Sequence, residues 1–333
     1  MSARVQHKPG PDAPEERLPY LTVRHVTTYQ YKQMVAFGEH WVMFRPRDSY
    51  DQRLLHASLT VTPKPASLHW RHDVFGNCVA CVRFEGRAKS LRFESLIELD
   101  HRPMHPLDFA VAGHAEFFPF SYDQEDMPDL LRSIERHYPD RNQELSGWAQ
   151  GFTRGRPVRT LDLLASITST IRQDFTYVRR EELGIQAPLE TLRRRSGSCR
   201  DFALLMMEAL RSLGVAARFV SGYLYLRGGY GVGGGSTHAW VQVYVPGAGW
   251  MEFDPTNGVA GSRDLIRVAV ARDPAQAVPL WGTWTGYPAD ALGLTVEVSV
   301  TAAAEPAAPR AEEKLLAELG RDALGRDFGQ LRG

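Results

Sequence analysis

Ser196-Gly197-Ser198-Cys199-Arg200-Asp201-Phe202-Ala203 is the stretch where the chain changes from loop chemistry to helix chemistry, and it does so at a cysteine. Upstream, Arg193 to Ser198 is basic and small. Downstream, Phe202, Leu205, Met206, Ala209, Leu210 and Leu213 recur at the three- and four-residue spacing of one buried helix face, and Gly214 supplies the stop. A thiol in the first turn of a helix sits beside backbone N–H groups that lack intrahelical acceptors and at the positive end of the helix dipole. Both favour thiolate over thiol. Cys199 is therefore a candidate nucleophile. A free cysteine on an apolar helix is also an ordinary core residue, and this segment alone leaves both readings open.

The residues that follow tilt the balance. Ala216–Leu226 reads as a strand, Gly228–Gly235 as a mobile glycine-rich loop without the Gly-Lys-Ser/Thr ending of a phosphate loop, and His238–Val245 and Gly249–Phe253 as a hairpin turning at Pro246-Gly247-Ala248. With a period of two, His238, Trp240, Gln242 and Tyr244 share one face; Ala239, Val241, Val243 and Val245 share the other, apolar one. Asp254 ends the second strand, so the hairpin brings an imidazole and a carboxylate close together. A helix-start thiol, a strand-start imidazole and a carboxylate positioned to orient it form the constellation of a thiol nucleophile, its base and its orienting acid. Such an arrangement forms a thiolate–imidazolium pair, attacks a carbonyl carbon and passes through an acyl-enzyme, with the Cys199 N–H as first oxyanion donor.

Gly197-x-Cys199-Arg200-Asp201-Phe202-Ala203, Thr237-His238-Ala239-Trp240 and Trp250-x-x-Phe253-Asp254-Pro255-Thr256-Asn257, in that order, resemble the transglutaminase-like superfamily of papain-like cysteine enzymes. The resemblance covers roughly Leu161–Asn257 and implies Cys199 as nucleophile, His238 as base and Asp254 as orienting acid. It also implies that a side chain upstream of the cysteine completes the oxyanion hole, with Tyr177 as counterpart. Trp240 and Asp201 are further supporting candidates, Asp201 chiefly as a helix cap. Animal transglutaminases carry an aromatic residue after the cysteine and use calcium; here Arg200 follows, and no calcium loop is visible. Bacterial relatives are more often regarded as peptidases or amidases than as cross-linkers. They are often encoded beside peptide-ligating ATP-grasp proteins, which implies a peptide-modification pathway.

The rest of the chain supplies a frame. Alternating runs at 21–31, 54–61, 67–70, 78–84 and 90–99, with turns such as Pro63-Lys64-Pro65, imply an antiparallel β-sandwich. Asp73-Val74-Phe75-Gly76-Asn77 within it resembles the β domain that precedes the core in bacterial members. The expected class is α+β: a tail over 1–18, a β-sandwich domain over 19–110, a linker with short helices over 111–158, a papain-like core over 159–300 with the nucleophile helix packed on an antiparallel sheet, and a linker with a C-terminal helix over 301–333. Leu161, Leu164, Ala165, Thr168 and Ile171 mark an amphipathic helix. Asp123, Glu125, Asp126 and Asp129 read as an acidic helix start and not as a calcium loop. Arg193–Arg195 read as a solvated loop.

Composition narrows the function classes. The 39 basic and 39 acidic residues cancel, so no overall field recruits nucleic acid or an anionic membrane. No run is long and apolar enough for a spanning helix, and the N-terminus lacks the core of a signal peptide. Three cysteines fit a reducing compartment, so a cytoplasmic location is expected. Cys78 and Cys81 lie in a strand, where residues three apart face opposite sides, which argues against a zinc or redox pair. No cofactor or metal is expected. The expected activity is cysteine-dependent cleavage or transfer at amide bonds of a peptide or protein substrate. The competitors are cross-linking of glutamine to amines and a non-catalytic peptide-binding module.

Overall fold

The computed structural model describes residues 20–102, 110–154, 157–179, 184–225, 235, 237–261 and 264–303. The expected N-terminal tail, most of the glycine-rich loop and the expected C-terminal helix lie outside the described residues. Five strands open the chain: β1 (Tyr20–Val42), β2 (Gln52–Thr62), β3 (Ser67–His72), β4 (Cys78–Arg83) and β5 (Arg87–His101). They follow the expected runs, except that β1 continues past Tyr31 to Val42. Its first half pairs with β5 and its last residues with β4. Phe93, opposite Thr27, has its ring 5.7 Å from that of His40, although a straight strand would hold Thr27 and His40 roughly 40 Å apart. The strand therefore folds over where its register breaks between Gln30 and Val35. One continuous sheet makes both layers of the sandwich, and Phe37, Val42, Val82, Leu91 and Phe93 are buried between them.

Next come β6 (Phe117–Phe118), α1 (Met127–Ile134), α2 (Glu144–Gln150), β7 (Val158–Arg159), α3 (Thr160–Asp174), β8 (Thr176–Tyr177), α4 (Pro188–Arg194), β9 (Ser196–Gly197) and α5 (Cys199–Ser212). Three readings need correction here. The stretch expected as a linker is part of the core: Leu145 and Ala149 are buried in the same cluster as α5, and Phe118, Tyr138, Trp148 and Val158 pack against it. In α3 the buried side chains are Thr160, Leu163, Leu164, Ile167, Thr168 and Ile171, while Ala165 is exposed; the helix is turned so that its larger side chains fill the core. Arg193 and Arg194 are no loop but the last turn of α4, where they pair with Glu144 and Glu190, and Arg195 ends that helix with a left-handed φ of 51°.

The second sheet is antiparallel, in the order β13 (Val259–Ala260), β12 (Gly249–Asp254), β11 (His238–Val245), β10 (Ala217–Leu224), β14 (Leu265–Ala271). Helix α5 covers one face, where Ala239, Val241, Val243 and Val245 meet its Phe202, Leu205, Met206 and Leu210 in one buried cluster. The chain runs along α5, back through β10, forward through β11 and back through β12. The start of α5, the start of β11 and the end of β12 therefore gather at one end.

The chain then returns to the first sheet. β15 (Leu280–Thr285) pairs with the second half of β1 and β16 (Ala291–Ala303) with its first half. Residues 280–300, expected in the catalytic core, thus complete the N-terminal sheet. Alternation identified the strand at 292–300, but alternation carries no information about its partner.

Strand β14 would leave a bare edge, and the β domain covers it with side chains. The Gln52 amide donates to the Arg267 carbonyl at 2.8 Å and accepts from the Arg267 N–H at 2.9 Å. Asn77 repeats the device at Val270, at 2.7 and 2.9 Å, and His101 Nε2 meets the Leu265 carbonyl at 3.1 Å. Two amide side chains thereby stand in for a neighbouring strand. Asp73 holds Asn77 in place, accepting its side-chain N–H at 2.8 Å and its backbone N–H at 2.8 Å. At Gly76, φ is 76°, and a Cβ there would lie 2.7 Å from the Arg47 guanidinium, which is why this turn carries a glycine.

Candidate active site

Cys199 is the first residue of α5 and is buried, with 8% of its surface exposed. The loop in front of it is fastened at several points. Asp201 accepts from the Ser198 N–H and hydroxyl, both at 2.8 Å, and from the Gln186 N–H at 2.8 Å. The Gln186 amide also donates to Thr191 at 3.0 Å and to the Ser196 carbonyl at 2.9 Å. Asp201 is fully buried, so it holds the helix start, as its position suggested. Gly197 is fixed by crowding: a Cβ there would lie 2.9 Å from the Asp201 Cβ. Gln186 carries no sequence signal, because its partners are brought to it only by the fold.

His238 opens β11 opposite Gly222, and its Nε2 lies 2.8 Å from Asp254 Oδ2, with both side chains fully buried. Its Nδ1 is buried and has no hydrogen-bond partner. Burial opposes charge on this ring, but the Asp254 carboxylate outweighs it and, with a contribution from the Cys199 thiol, pushes the pKa up to about 10. For Asp254, burial raises the pKa while His238, Asn257 and the Thr256 N–H lower it, and the net direction is down. The sequence placed Thr256 and Asn257 in a motif without giving them a task. Here the Thr256 N–H donates to Asp254 Oδ1 at 2.9 Å, and the Asn257 amide donates to Oδ2 at 2.7 Å. The carboxylate is thus oriented from two sides.

The supporting candidates fall into place differently. Trp240 is fully buried and stacks on His238, with ring centroids 6.0 Å apart and planes inclined by 28°. It backs the imidazole and lies among Val220, Leu224 and Leu265. Tyr177 is drawn toward the Cys199 loop by the short parallel pair β8–β9, in which Tyr177 lies opposite Gly197 and the Val178 N–H donates to the Gly197 carbonyl at 2.9 Å. Burial, and after it the charge of Cys199, raises its pKa. Among the described residues no cluster of side chains suited to a metal ion occurs, and Cys78, Cys81 and Cys199 are all unpaired thiols.

Two family models match the chain: the bacterial transglutaminase-like N-terminal region over residues 21–100 and the transglutaminase-like superfamily over residues 146–255. The chain thus carries a transglutaminase-like superfamily domain preceded by the N-terminal region of its bacterial members. The first match falls on the folded-over sheet and the second on the helices and hairpin that carry Cys199, His238 and Asp254. Among individual proteins similar to this chain, the uncharacterized Rv2569c of Mycobacterium tuberculosis is 28% identical over 297 residues, covering 83% of this chain and 91% of that protein. A protein-glutamine gamma-glutamyltransferase of Pseudomonas aeruginosa is 42% identical over 74 residues, 21% of this chain and 11% of that one. A provisionally assigned cysteine protease from Cytophaga hutchinsonii shares the fold with a TM-score of 0.64 at 20% identity, covering 88% of this chain and 94% of that chain. The α+β arrangement of an N-terminal β domain before a papain-like core is therefore shared with that structure.

Proposed function

We propose that this transglutaminase-like protein is a cysteine-dependent enzyme that cleaves amide bonds, peptide or isopeptide, through Cys199, His238 and Asp254. The observation that carries the reading is the state of the His238 ring. One nitrogen is engaged by a fully buried carboxylate, and the other is buried, unpartnered and within electrostatic reach of the Cys199 thiol. Nδ1 takes the thiol proton, and Asp254 stabilises the imidazolium. The thiolate adds to the carbonyl carbon, and the oxyanion forms at the helix start, where the Cys199 N–H has no intrahelical acceptor. His238 then returns its proton to the departing amine, and water cleaves the thioester to release the acid and restore the thiol.

The substrate class in this reading is a peptide or protein, and the compartment is the cytoplasm, which suits three unpaired cysteines; no helix among the described residues is long and apolar enough to cross a membrane. A second reading, transfer of a glutamine acyl group to an amine, draws on the gamma-glutamyltransferase relative. Wild-type protein and Cys199→Ala are compared for iodoacetamide labelling at pH 6 and for turnover of a peptide library read by mass spectrometry. Labelling and turnover are expected in the wild type only. Turnover that survives in Cys199→Ala, or a thiol inert at pH 6, sinks the proposal. Adding a primary amine separates hydrolysis from transfer by the mass of the product.

A further inference from the structure

The second sheet carries another polar constellation at the end remote from Cys199. Arg218 on β10, Tyr244 on β11 and Trp250 on β12 meet the Asp73–Asn77 turn and the start of α1 around a groove of about 690 Å³. The Arg218 guanidinium lies 3.9 Å over the Trp250 ring, and its Nε donates to Gln242 Oε1 at 2.8 Å. The Gln242 amide is held in turn by Glu252 at 3.0 Å. Stacking from one side and a tether at Nε fix the plane of the guanidinium and leave its two terminal nitrogens as a preset fork.

That fork has no carboxylate partner among the described residues. Glu252 is occupied by Arg267 at 2.7 Å, and Arg267 also takes Asp51 at 3.1 Å. Burial, together with the Arg267 and Arg47 cations, pulls the Arg218 pKa down to about 9 against the opposing charge of Glu252, so the group stays charged at neutral pH with no carboxylate bonded to it among the described residues. The groove beside it is apolar on one side: Phe75 and the almost fully exposed Val74 come from the turn. On the far bank stand Asp126, bonded to the Tyr244 hydroxyl at 2.9 Å, and Asp129. Arg132 and Arg272 line the groove as well, so its charge is mixed, and the two carboxylates suit the N–H donors of a peptide backbone.

We propose that this groove binds the C-terminal carboxylate of a peptide with an apolar last residue, Arg218 clasping the carboxylate while Trp250, Phe75 and Val74 receive the side chain. The site is separate from the thiol centre, and its test does not depend on that centre reacting. Cys199→Ala protein is titrated by calorimetry with the tetrapeptide Ala-Ala-Ala-Phe, its C-terminal amide and N-acetylphenylalanine. The free acid is expected to bind roughly tenfold or more tightly than the amide, the usual margin for a charge-assisted contact. Arg218→Gln is expected to erase that preference, and Arg218→Lys to keep part of it, with thermal melting confirming that each variant is folded. Equal binding of acid and amide, an acid preference that survives Arg218→Gln, or N-acetylphenylalanine binding as tightly as the tetrapeptide would overturn the assignment. A failure here would leave the amide-cleavage reading standing, because that reading rests on other residues.

Discussion

The two ends of α5 each bury an ion pair, and the pairs differ in one respect. At the C-terminal end, Arg211 and Glu208 are both fully buried and 2.8 Å apart. Arg211 also donates to the carbonyls of Ser133, Ala217 and Arg272, and Glu208 accepts from the backbone N–H groups of His137 and Tyr138. At the N-terminal end, His238 and Asp254 are equally buried and 2.8 Å apart, yet His238 Nδ1 has no partner. A saturated pair can only hold structure. A pair with one open valence, facing a thiol at a helix start, can also move a proton. The difference separates a clamp from a candidate catalytic site, although charge and burial look the same in both.

Removing one partner breaks the clamp most severely. Arg211→Leu leaves Glu208 buried without a counter-charge, a change expected to cost about 3–5 kcal/mol, measured by urea denaturation. The folded fraction should still label at Cys199 at pH 6. A loss below about 1 kcal/mol would mean that solvent reaches Glu208. Asp254→Asn should show the reverse pattern, with labelling at pH 6 lost.

Next in size is the pH dependence of the open pair. The folded ring titrates near 10 against an ordinary value of 6.5, so its contribution is complete below about pH 6.5 and is lost as the pH rises toward 10. Asp254 is depressed below its ordinary value of 3.8, so its contribution is present above that value and is lost as the pH falls below it. The stability advantage of wild type over His238→Ala should therefore be a few kcal/mol at pH 6 and clearly smaller at pH 9. Denaturation curves at the two pH values test this, and a gap that widens with pH contradicts the assigned charge state.

Legibility followed the range of the interactions. The places of Cys199, His238 and Asp254 in the fold could be read because each sits at a boundary of a local pattern, a helix start or a strand end, and one hairpin fixes the distance between the last two. Asp201 could be read as a cap because its partners are three residues away. The pairing of β16 with β1, the fold-over of β1 and the saturation of Arg211 could not, since each depends on partners far along the chain. Asn77 belongs with these. Its sequence neighbours describe a turn, but its partner Val270 lies 193 residues on. Asn77→Ala should cost about 2 kcal/mol, two hydrogen bonds and an uncovered strand edge. The loss should appear in thermal melting without a change in Cys199 labelling, and Asn77→Asp, which sets a second carboxylate against Asp73 and the Val270 carbonyl, should recover none of it.

The smallest expected effect concerns the second oxyanion donor, where geometry and role are furthest apart. Tyr177 is carried to the loop before Cys199 by a single parallel pair with Gly197, and no other described residue hydrogen-bonds its hydroxyl. A phenol placed there for packing needs only its ring, whereas one placed to meet a developing oxyanion needs its O–H. Tyr177→Phe separates the two, because it keeps the ring and leaves no buried group newly unpaired. As a donor, the hydroxyl should lower kcat by about tenfold, or ~1.4 kcal/mol in the barrier, with KM and melting temperature nearly unchanged. An unaltered kcat would leave the Cys199 N–H at the start of α5 to hold the oxyanion without this phenol, and would reduce Tyr177 to a wall of the cleft.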